Sequence, residues 1–389
     1  MTTSYTRLLT PPKGSFFLLG PRGTGKTTWL RSQFPNAHRI DLLDTARYQL
    51  HLADAAAIER ELAALRRGSW VVIDEIQRLP DLLNEVHRKI ESHALRFALT
   101  GSSARKLRRG GVNLLGGRAA RRTMYPFAPS ELGDDFRIDT ALRWGTLPVV
   151  WSAAEREETL DAYAQMYLRE EIQAEAVVRN LPGFARFLPI AGLFHGQVVN
   201  VSAVARDAGV ARTTVSEYVT VLEDTLVATR LEAFESKLRV RERKHPKLYW
   251  IDPGVARAMK RVHGPVPSEE RGVLFEGYVH MLLRLHADLG RIDIDRIGYW
   301  SPADSATEVD FVVTSGKEHV AIEAKSGTRV REEDFRGLRA IADLPGLRRR
   351  VIVHPGDARA RSQDGIEAIG VREFDEILAT GRLFEAGRR

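Results

Sequence analysis

The sequence contains no cysteine, which excludes disulfide bonds and thiolate metal sites. It also lacks an apolar run long enough to span a bilayer, and residues 1–12 do not have the hydrophobic core of a signal peptide. Internal repeats and low-complexity tracts are absent from the sequence as well. We therefore expect a cytoplasmic protein that has no membrane partner.

Acidic residues are outnumbered, with 51 aspartates and glutamates against 58 lysines and arginines, for a formal net charge of +7. This excess favours an anionic partner, and nucleic acid is the first candidate, although solubility alone also explains a modest positive charge. Hydrophobic residues are 43% and charged residues 28% of the 389 residues, which is typical of a globular chain. The length allows two or three domains.

The segment from residue 20 to residue 27 has the spacing G-x-x-x-x-G-K-T of a phosphate-binding loop. The apolar run Phe16–Leu19 precedes it and a helical pattern follows it, which is the context that this motif requires. Lys26 is predicted to reach the β- and γ-phosphates of ATP, and the Thr27 hydroxyl to bind Mg2+. The predicted nucleotide-binding residues are Gly20, Pro21, Arg22, Gly23, Thr24, Gly25, Lys26, Thr27 and Thr28.

A second apolar run, residues 70–75, ends in the carboxylates Asp74 and Glu75. This pattern, at this distance from the phosphate-binding loop, is typical of a Walker B strand. Asp74 is predicted to hold Mg2+ through its water shell, and Glu75 to orient and polarise the water that attacks the γ-phosphate. The sequence therefore predicts Mg2+-dependent ATP hydrolysis in addition to ATP binding.

A third apolar run, residues 97–100, leads into Ser102 and Ser103, either of which is placed to sense the γ-phosphate. The following segment, residues 104–122, contains seven cations and no acidic residue. This charge indicates a bound anion, either the nucleotide of a neighbouring subunit or a nucleic-acid backbone, with a solvated basic surface as the alternative. The cations are Arg105, Lys106, Arg108, Arg109, Arg118, Arg121 and Arg122.

Together these segments resemble the bacterial AAA-type ATPases that carry an uncharacterised C-terminal domain. The resemblance also rests on residues 99–103, 116–118 and 125–127, and on residues 144–148 and 167–172, which are similar to the lid region of that family. It covers nearly the whole chain. It implies a homo-oligomer, such as a hexameric ring, that binds ATP between subunits, with Arg118 as the arginine finger that acts on a neighbouring subunit.

Residues 181–254 have the pattern of a winged-helix domain. Helices are predicted at residues 185–194, 203–208 and 212–222, with a turn at Gly209, and strands at residues 226–231 and 247–251 pair as a wing. The exposed face of the third helix offers only Arg212 as a cation for reading bases, which does not favour sequence-specific recognition. Docking of a protein partner is the alternative role of such a domain.

The loop at residues 237–247 contains six lysines or arginines and one acidic residue. Such a loop is suited to the phosphates of duplex DNA. The predicted DNA-binding residues are Arg212, Lys237, Arg239, Arg241, Arg243 and Lys244.

Residues 255–389 carry a second group of acidic residues. A predicted helix includes Glu276, and two predicted strands place Asp310, Glu323 and Lys325 on converging faces. Carboxylates can hold Mg2+ and an ammonium can stabilise developing negative charge, so the set indicates metal-dependent nuclease chemistry. The order of elements resembles the PD-(D/E)xK restriction-endonuclease-like superfamily, although Val309 replaces its usual proline. A vestigial nuclease fold used for DNA binding or assembly is the alternative.

The predicted fold class is α/β, with an AAA-type P-loop NTPase core, then an all-α or winged-helix domain, then an α/β restriction-endonuclease-like domain. The predicted domains are residues 1–135, a helical lid at 136–180, the winged helix at 181–254 and the nuclease-like domain at 255–389, with a hinge at residues 252–254. We expect an oligomeric ATPase that couples ATP turnover to remodelling or processing of DNA. The alternative is an ATP-controlled switch that binds a protein partner.

Overall fold

The computed structural model describes residues 5–103, 117–167, 180–236, 238 and 242–385. The chain divides into two compact units. The N-terminal unit is Arg7–Tyr125 with Asp224–Leu226, and the C-terminal unit is Met1–Thr6, Pro126–Glu223 and Val227–Arg389.

The N-terminal unit is built on a parallel sheet. Its strands are β1 (Phe16–Leu19), β2 (His38–Asp41), β3 (Trp70–Asp74), β4 (Arg96–Gly101) and β5 (Ala120–Thr123). Its helices are α1 (Lys26–Gln33), α2 (Thr45–Ala53), α3 (Ala55–Ala63) and α4 (Leu82–His93), with a 3-10 helix at Ile76–Arg78. The five strands lie in the order β2-β3-β4-β1-β5 and all pair in parallel. The predicted α/β fold of this part is confirmed.

Strand β4 aligns the ends of the two strands that carry the predicted site. It pairs with β1, with Leu19 opposite Gly101, and with β3, with Ile73 opposite Leu99. The apolar side chains of these strands are buried in the core of the unit, so this alignment is fixed by packing. The segments that follow β1, β3 and β4 therefore start from one edge of the sheet, the edge where parallel α/β sheets bind ligands.

Asp54 separates the two consecutive helices α2 and α3. Asp54 ends α2, and its side chain accepts the backbone N–H of Ala56 at 2.9 Å. An aspartate in this position caps a new helix strongly, because it satisfies N–H groups that have no partner within the helix. The chain therefore starts a second helix directly after the first.

Among the described residues, the C-terminal unit contains eleven helices and two sheets. Its helices are α5 (Pro129–Leu132), α6 (Ile138–Trp144), α7 (Pro148–Trp151), α8 (Arg156–Met166), α9 (Leu181–Leu193), α10 (Val201–Ala208), α11 (Arg212–Asp224), α12 (Pro253–Lys260), α13 (Ser268–Asp288), α14 (Arg336–Ala340) and α15 (Val371–Ala379). Short 3-10 helices lie at Gly133–Asp135 and Glu332–Phe335.

The two sheets of this unit differ in topology. The strands are β6 (Gln197–Val198), β7 (Ala228–Leu231), β8 (Lys247–Trp250), β9 (Arg296–Trp300), β10 (Val309–Ser315), β11 (Glu318–Ala324), β12 (Leu347–His354), β13 (Ala360–Arg361) and β14 (Glu367–Gly370). The smaller sheet is antiparallel in the order β6-β8-β7. The larger is mixed, in the order β13-β14-β12-β11-β10-β9, with β12 parallel to both neighbours.

Helices α10 and α11 are joined by a tight turn at Gly209, whose φ of 63° lies in the left-handed region that favours glycine. Val215 and Tyr218 of α11 are buried, whereas Arg212 and Ser216 are exposed. The predicted inward and outward faces of this helix are therefore confirmed.

The predicted hinge at residues 252–254 is a packed junction. Asp252 is buried, and its carboxylate accepts the backbone N–H of Thr146 at 2.6 Å and that of Val255 at 3.1 Å. A side chain on Gly254 would meet the carbonyl oxygen of Trp144 at 2.1 Å. The hinge prediction is wrong because α12 begins here and packs closely against the end of α6.

Within the described ranges, no helix is both long and apolar enough to cross a membrane.

Candidate functional site

The phosphate-binding loop connects β1 to α1. Gly23 and Gly25 have φ values of 77° and 84°, a conformation that strains residues with a side chain. Gly25 directly precedes α1, so the unpaired N–H groups at the start of that helix face the loop. The Thr24 hydroxyl donates to the carbonyl of Pro21 at 2.8 Å and holds the loop together. This arrangement is suited to an anion.

Lys26 is buried at the start of α1. Its ammonium donates to the carbonyl of Gly20 at 2.7 Å and to that of Pro21 at 3.0 Å. The cation is thus held over the same loop whose N–H groups are suited to a phosphate, where charge-assisted hydrogen bonds are strong. Arg22 and Thr27 are half-buried, and Thr28 is exposed.

The two carboxylates at the end of β3 are organised by Thr100 of β4. The Thr100 hydroxyl donates to Asp74, and its oxygen accepts the backbone N–H of Glu75 at 3.0 Å. All three residues are buried, with 9% or less of each exposed. Sequence reasoning missed Thr100, although a polar residue at the end of an apolar strand was the signal that could have found it.

Glu75 adopts a left-handed conformation, with φ 57° and ψ 46°. Such backbone strain in a residue other than glycine is concentrated at functional sites. After this turn the side chain of Gln77 points back towards Glu75. The Gln77 amide donates to Oε2 of Glu75 at 2.5 Å and to the Ser102 hydroxyl at 3.1 Å. Ser102 Oγ lies 3.5 Å from the same Glu75 oxygen. Sequence reasoning also missed Gln77, because no sequence pattern shows that the chain turns back after Glu75.

These residues fit Mg2+ and a nucleotide polyphosphate. The Thr27 hydroxyl and the Asp74 carboxylate are hard oxygen donors of the kind that Mg2+ prefers. The Asp74 carboxylate is oriented by Thr100, as carboxylate ligands of metals usually are by a neighbouring donor. The structure thus brings Asp74, Glu75 and Ser102 into one hydrogen-bonded group.

Arg118, the predicted arginine finger, is half exposed and forms an ion pair with Glu91 of its own unit, with 2.7 Å between guanidinium and carboxylate. The other predicted cations at residues 105, 106, 108 and 109 lie outside the described residues. The role of Arg118 stays a prediction.

Of the predicted DNA-binding residues, Arg212, Arg243 and Lys244 are exposed. Lys237, Arg239 and Arg241 lie outside the described residues. Lys247, which sequence reasoning counted in the same basic loop, is instead buried in β8. The basic loop therefore has one cation fewer at the surface than the sequence suggested.

The predicted nuclease residues come together in the C-terminal unit. The antiparallel register of β10 and β11, in which Phe311 pairs with Ile322, places Asp310 opposite Glu323. Glu276 of α13 approaches from the helix side, and the Lys325 ammonium lies 2.6 Å from Glu323. The sequence predicted that Asp310, Glu323 and Lys325 converge, and the structure adds Glu276 to them; their role in a nuclease stays a prediction.

Two residues of this cluster were not predicted. Glu308 contributes a carboxylate oxygen, and its ligand atom lies within 4.8 Å of those of Glu276 and Asp310. Lys247 donates to Glu276 at 2.9 Å and also forms a hydrogen bond to Glu308. Glu308 precedes Asp310 by two residues and so shares its strand face, which was the available signal. No local signal pointed to Lys247.

Burial dominates the protonation of the cluster. It raises the pKa of Asp310 well above its usual value, and the neighbouring Glu276 and Glu323 raise it further. Burial also raises the pKa of Glu323 to about 7, against the opposing pull of Lys325. For Lys247 burial lowers the pKa, but attraction to Glu276, Asp310 and Glu308 outweighs it, so the pKa is raised and the ammonium stays charged.

Three family models match successive parts of the chain. A model described as "AAA domain" matches residues 13–133. The models described as "Domain of unknown function (DUF8612)" and "Domain of unknown function (DUF4143)" match residues 135–265 and 271–374.

Two mycobacterial proteins are similar along nearly the whole chain. They are "Uncharacterized protein Rv2008c" of Mycobacterium tuberculosis and "Uncharacterized protein Mb2031c" of Mycobacterium bovis. Each is 27% identical over 377 residues, which cover 95% of this chain and 82% of the relative.

Two solved structures show a weaker likeness. ORC1 of Aeropyrum pernix, in a complex with DNA, has a TM-score of 0.28 and 16% identity over 64% of this chain and 87% of that chain. Protein VC1899 of Vibrio cholerae has a TM-score of 0.24 and 14% identity over 96% of this chain and 98% of that chain. These TM-scores are too low to support an argument about ligands. The family match and the parallel sheet with its P-loop agree, and residues 13–133 form an AAA-type P-loop ATPase domain.

Proposed function

We propose that the protein is an oligomeric, Mg2+-dependent ATPase that binds DNA and couples ATP turnover to remodelling or processing of it. The observation that carries the proposal is the hydrogen-bonded group of Asp74, Glu75 and Thr100, at the same sheet edge as the phosphate-binding loop. A loop for phosphates, a carboxylate for Mg2+ and a carboxylate for water are the parts that hydrolysis requires.

The roles of the residues follow from their positions. The N–H groups of the loop and the Lys26 ammonium bind the β- and γ-phosphates, and Thr27 and Asp74 hold Mg2+. When bound, Mg2+ neutralises charge that develops on the phosphate oxygens. Glu75 orients the attacking water, and Gln77 and Ser102 fix the position of its carboxylate. Positioning of this kind supplies much of the catalysis of phosphoryl transfer.

The proposal of an oligomer is based on the exposure and the ion pair of Arg118. Its guanidinium is half exposed, and its partner Glu91 is also exposed, so the ion pair contributes little to stability and can be exchanged at low cost. A neighbouring copy that presents its nucleotide to Arg118 would complete a site with a finger in trans. The oligomeric state and the effect of Arg118→Ala on ATP turnover test this part separately.

DNA binding is proposed for a winged-helix domain at residues 181–254. The helix pair α10 and α11 with its glycine turn, followed by antiparallel strands β7 and β8, supports that assignment. Arg212 on the exposed face of α11 and Arg243 and Lys244 in the loop before β8 are available to phosphates. Such contacts predict affinity that falls steeply with salt and depends little on sequence.

The test is the rate of ATP hydrolysis with and without duplex, single-stranded and branched DNA, at two salt concentrations. Salt-sensitive stimulation by DNA supports the proposal. Lys26→Ala and Glu75→Gln should each abolish turnover, with Glu75→Gln still binding ATP. ATP turnover that survives Glu75→Gln unchanged would remove the proposed role of that carboxylate.

A second candidate is an ATP-controlled switch that binds a protein partner and carries a vestigial nuclease fold at residues 255–389. It is favoured by the Lys247 ammonium, which lies among the carboxylates that a nuclease would use for metal. Analysis of the DNA on a gel after the assay separates the candidates. Cleavage that is lost in Asp310→Ala would establish a nuclease, whereas no DNA affinity and no cleavage would favour the switch.

A further inference from the structure

Lys247 lies at the first position of β8, in the smaller sheet of the C-terminal unit, yet its side chain reaches the acidic cluster of α13 and β10. Only 4% of the residue is exposed. Its ammonium donates to Glu276 at 2.9 Å and to Glu308, and it lies 5.2 Å from the centre of the Tyr299 ring. Two hydrogen bonds and a cation–π contact thus surround a buried charge.

Strand β8 holds this ammonium in a fixed position. It is the central strand of its sheet and pairs with β6 on one side and β7 on the other. The next three residues, Leu248, Tyr249 and Trp250, are each 1% exposed or less. The hydroxyl of Tyr249 donates to Glu276 as well, next to the ammonium. The sheet holds the backbone of Lys247 on both sides and its side chain is buried, so the lysine is not a mobile surface residue.

The cluster contains four carboxyl groups and two ammonium groups. The carboxylates are Glu276, Glu308, Asp310 and Glu323, and the ammonium groups are Lys247 and Lys325. Lys247 pairs with Glu276 and Glu308, and Lys325 pairs with Glu323, so three of the four carboxylates already face an ammonium group. A divalent cation bound between Glu276 and Glu308 would lie a few ångströms from the buried Lys247 ammonium, which would repel it.

We propose that Lys247 is a built-in cation that occupies the carboxylate cluster and excludes a divalent metal ion from it. Glu276 and Glu308, which would be metal ligands, instead bind an ammonium supplied by the neighbouring sheet of the same chain. The cluster then acts as a fixed ionic junction between β8, α13 and β10. The inference does not depend on ATP hydrolysis or on DNA binding.

The experiment is a calorimetric titration of Mn2+ into the whole chain. Nucleotide is left out, so that the predicted Mg2+ site at Asp74 lacks the phosphate oxygens that would help to bind the metal ion. Wild type is compared with Lys247→Met, which keeps most of the length of the side chain and removes its charge, and with Lys247→Arg, which keeps the charge. Lys244→Met makes the same change at an exposed lysine in the preceding loop. Adding Asp310→Asn to Lys247→Met locates any new site.

Lys247→Met should bind Mn2+ at least about tenfold more tightly than wild type, at a site that Asp310→Asn removes. Wild type, Lys247→Arg and Lys244→Met should not show this site. The proposal is overturned if wild type already binds Mn2+ at an Asp310-dependent site as tightly as Lys247→Met. It is also overturned if Lys247→Met folds and gains no site.

A second measurement needs no variant and keeps the proposal testable if Lys247→Met does not fold. Wild type is treated with an amine-acylating reagent, with and without excess Mn2+, and modified lysines are identified by mass spectrometry. Lys244 should react in both samples and Lys247 in neither. If Mn2+ makes Lys247 reactive, the ion displaces the ammonium and the proposal is wrong.

Discussion

The hydroxyl of Thr100 joins the two acidic residues at the end of β3, since it donates to the side chain of Asp74 and accepts the backbone N–H of Glu75 at 3.0 Å. A single side chain on the neighbouring strand therefore sets the orientation of the proposed metal ligand and the backbone position of the proposed water-orienting residue. Residues that orient a metal ligand in this way are nearly as important as the ligand itself.

Replacing Thr100 with valine keeps the shape of the side chain and removes both hydrogen bonds. We expect ATP turnover to fall about 10- to 100-fold, because Asp74 and Glu75 lose their orientation. Leaving the Glu75 N–H without a partner should also cost about 1–3 kcal/mol of folding free energy. Thr100→Ser keeps the hydroxyl and should remain close to wild type. Equal rates for the valine and serine variants would show that the hydroxyl has no catalytic consequence.

Gln77→Leu tests whether the amide positions Glu75. Because the amide contacts Glu75 and Ser102, its loss should lower kcat about 100-fold through misplacement of the Glu75 carboxylate. ATP affinity should change little, since Gln77 follows the acidic pair and is not part of the phosphate-binding loop. Gln33→Leu makes the same change at an exposed position of the same unit and serves as the control. A variant with weaker ATP binding and unchanged kcat would contradict the positioning role.

Glu323 should make stability depend on pH. Its pKa is raised from 4.5 to about 7 by burial, so the folded protein binds a proton that the unfolded chain releases between these values. The contribution of the group is present in full below pH 4.5 and is lost as pH rises to 7, by about 3 kcal/mol at most. Oε2 of Glu323 has no hydrogen-bond partner among the described residues, which is consistent with the neutral form.

The measurement is the melting temperature of wild type and Glu323→Gln from pH 5 to pH 8. The glutamine side chain stays neutral throughout. The melting temperature of Glu323→Gln, relative to that of wild type, should therefore rise as the pH increases. In wild type, attraction to Glu323 and Asp310 outweighs burial and raises the pKa of Lys325. A difference that does not vary with pH would show that the carboxyl group does not titrate in this range.

Gly254→Ala tests the packed junction at the start of α12. The added methyl would lie 2.1 Å from the carbonyl oxygen of Trp144, which cannot move without shifting the backbone, so we expect a loss of about 3 kcal/mol. Gly272→Ala is the matched change within α13, where no atom lies within 4 Å of the added methyl. It should be neutral or stabilise the protein by up to about 1 kcal/mol. Similar thermal unfolding of the two variants would argue against the close contact.

The sequence identified those parts of the site that local patterns specify. The phosphate-binding loop follows from glycine spacing, and Asp74 and Glu75 follow from a buried strand that ends in acids. Thr100 and Gln77 complete that site through contacts across strands and around a turn, and neither contact leaves a periodic pattern. The sequence therefore predicts the charged groups better than the neutral groups that orient them.

Lys247 shows most clearly what could not be predicted from the sequence alone. In the sequence it belongs to a run of cations, and charge runs usually lie at the surface. Its partners Glu276 and Glu308 are 29 and 61 residues away along the chain. Only the pairing of β8 between two other strands decides that this lysine points inward, and such pairing depends on the whole sheet rather than on the local sequence.

Helix α15 also determines when the C-terminal unit can be completed during synthesis. Asp375 of α15 accepts the backbone N–H of Ser130 at 2.8 Å and binds His286, and Arg372 donates to the carbonyls of Gly133 and Phe136. Ser130 and Gly133 therefore lack these partners until about 240 further residues have been synthesised. Until then the surface that α15 will cover stays open, and a nascent chain in that state is a natural substrate for chaperones.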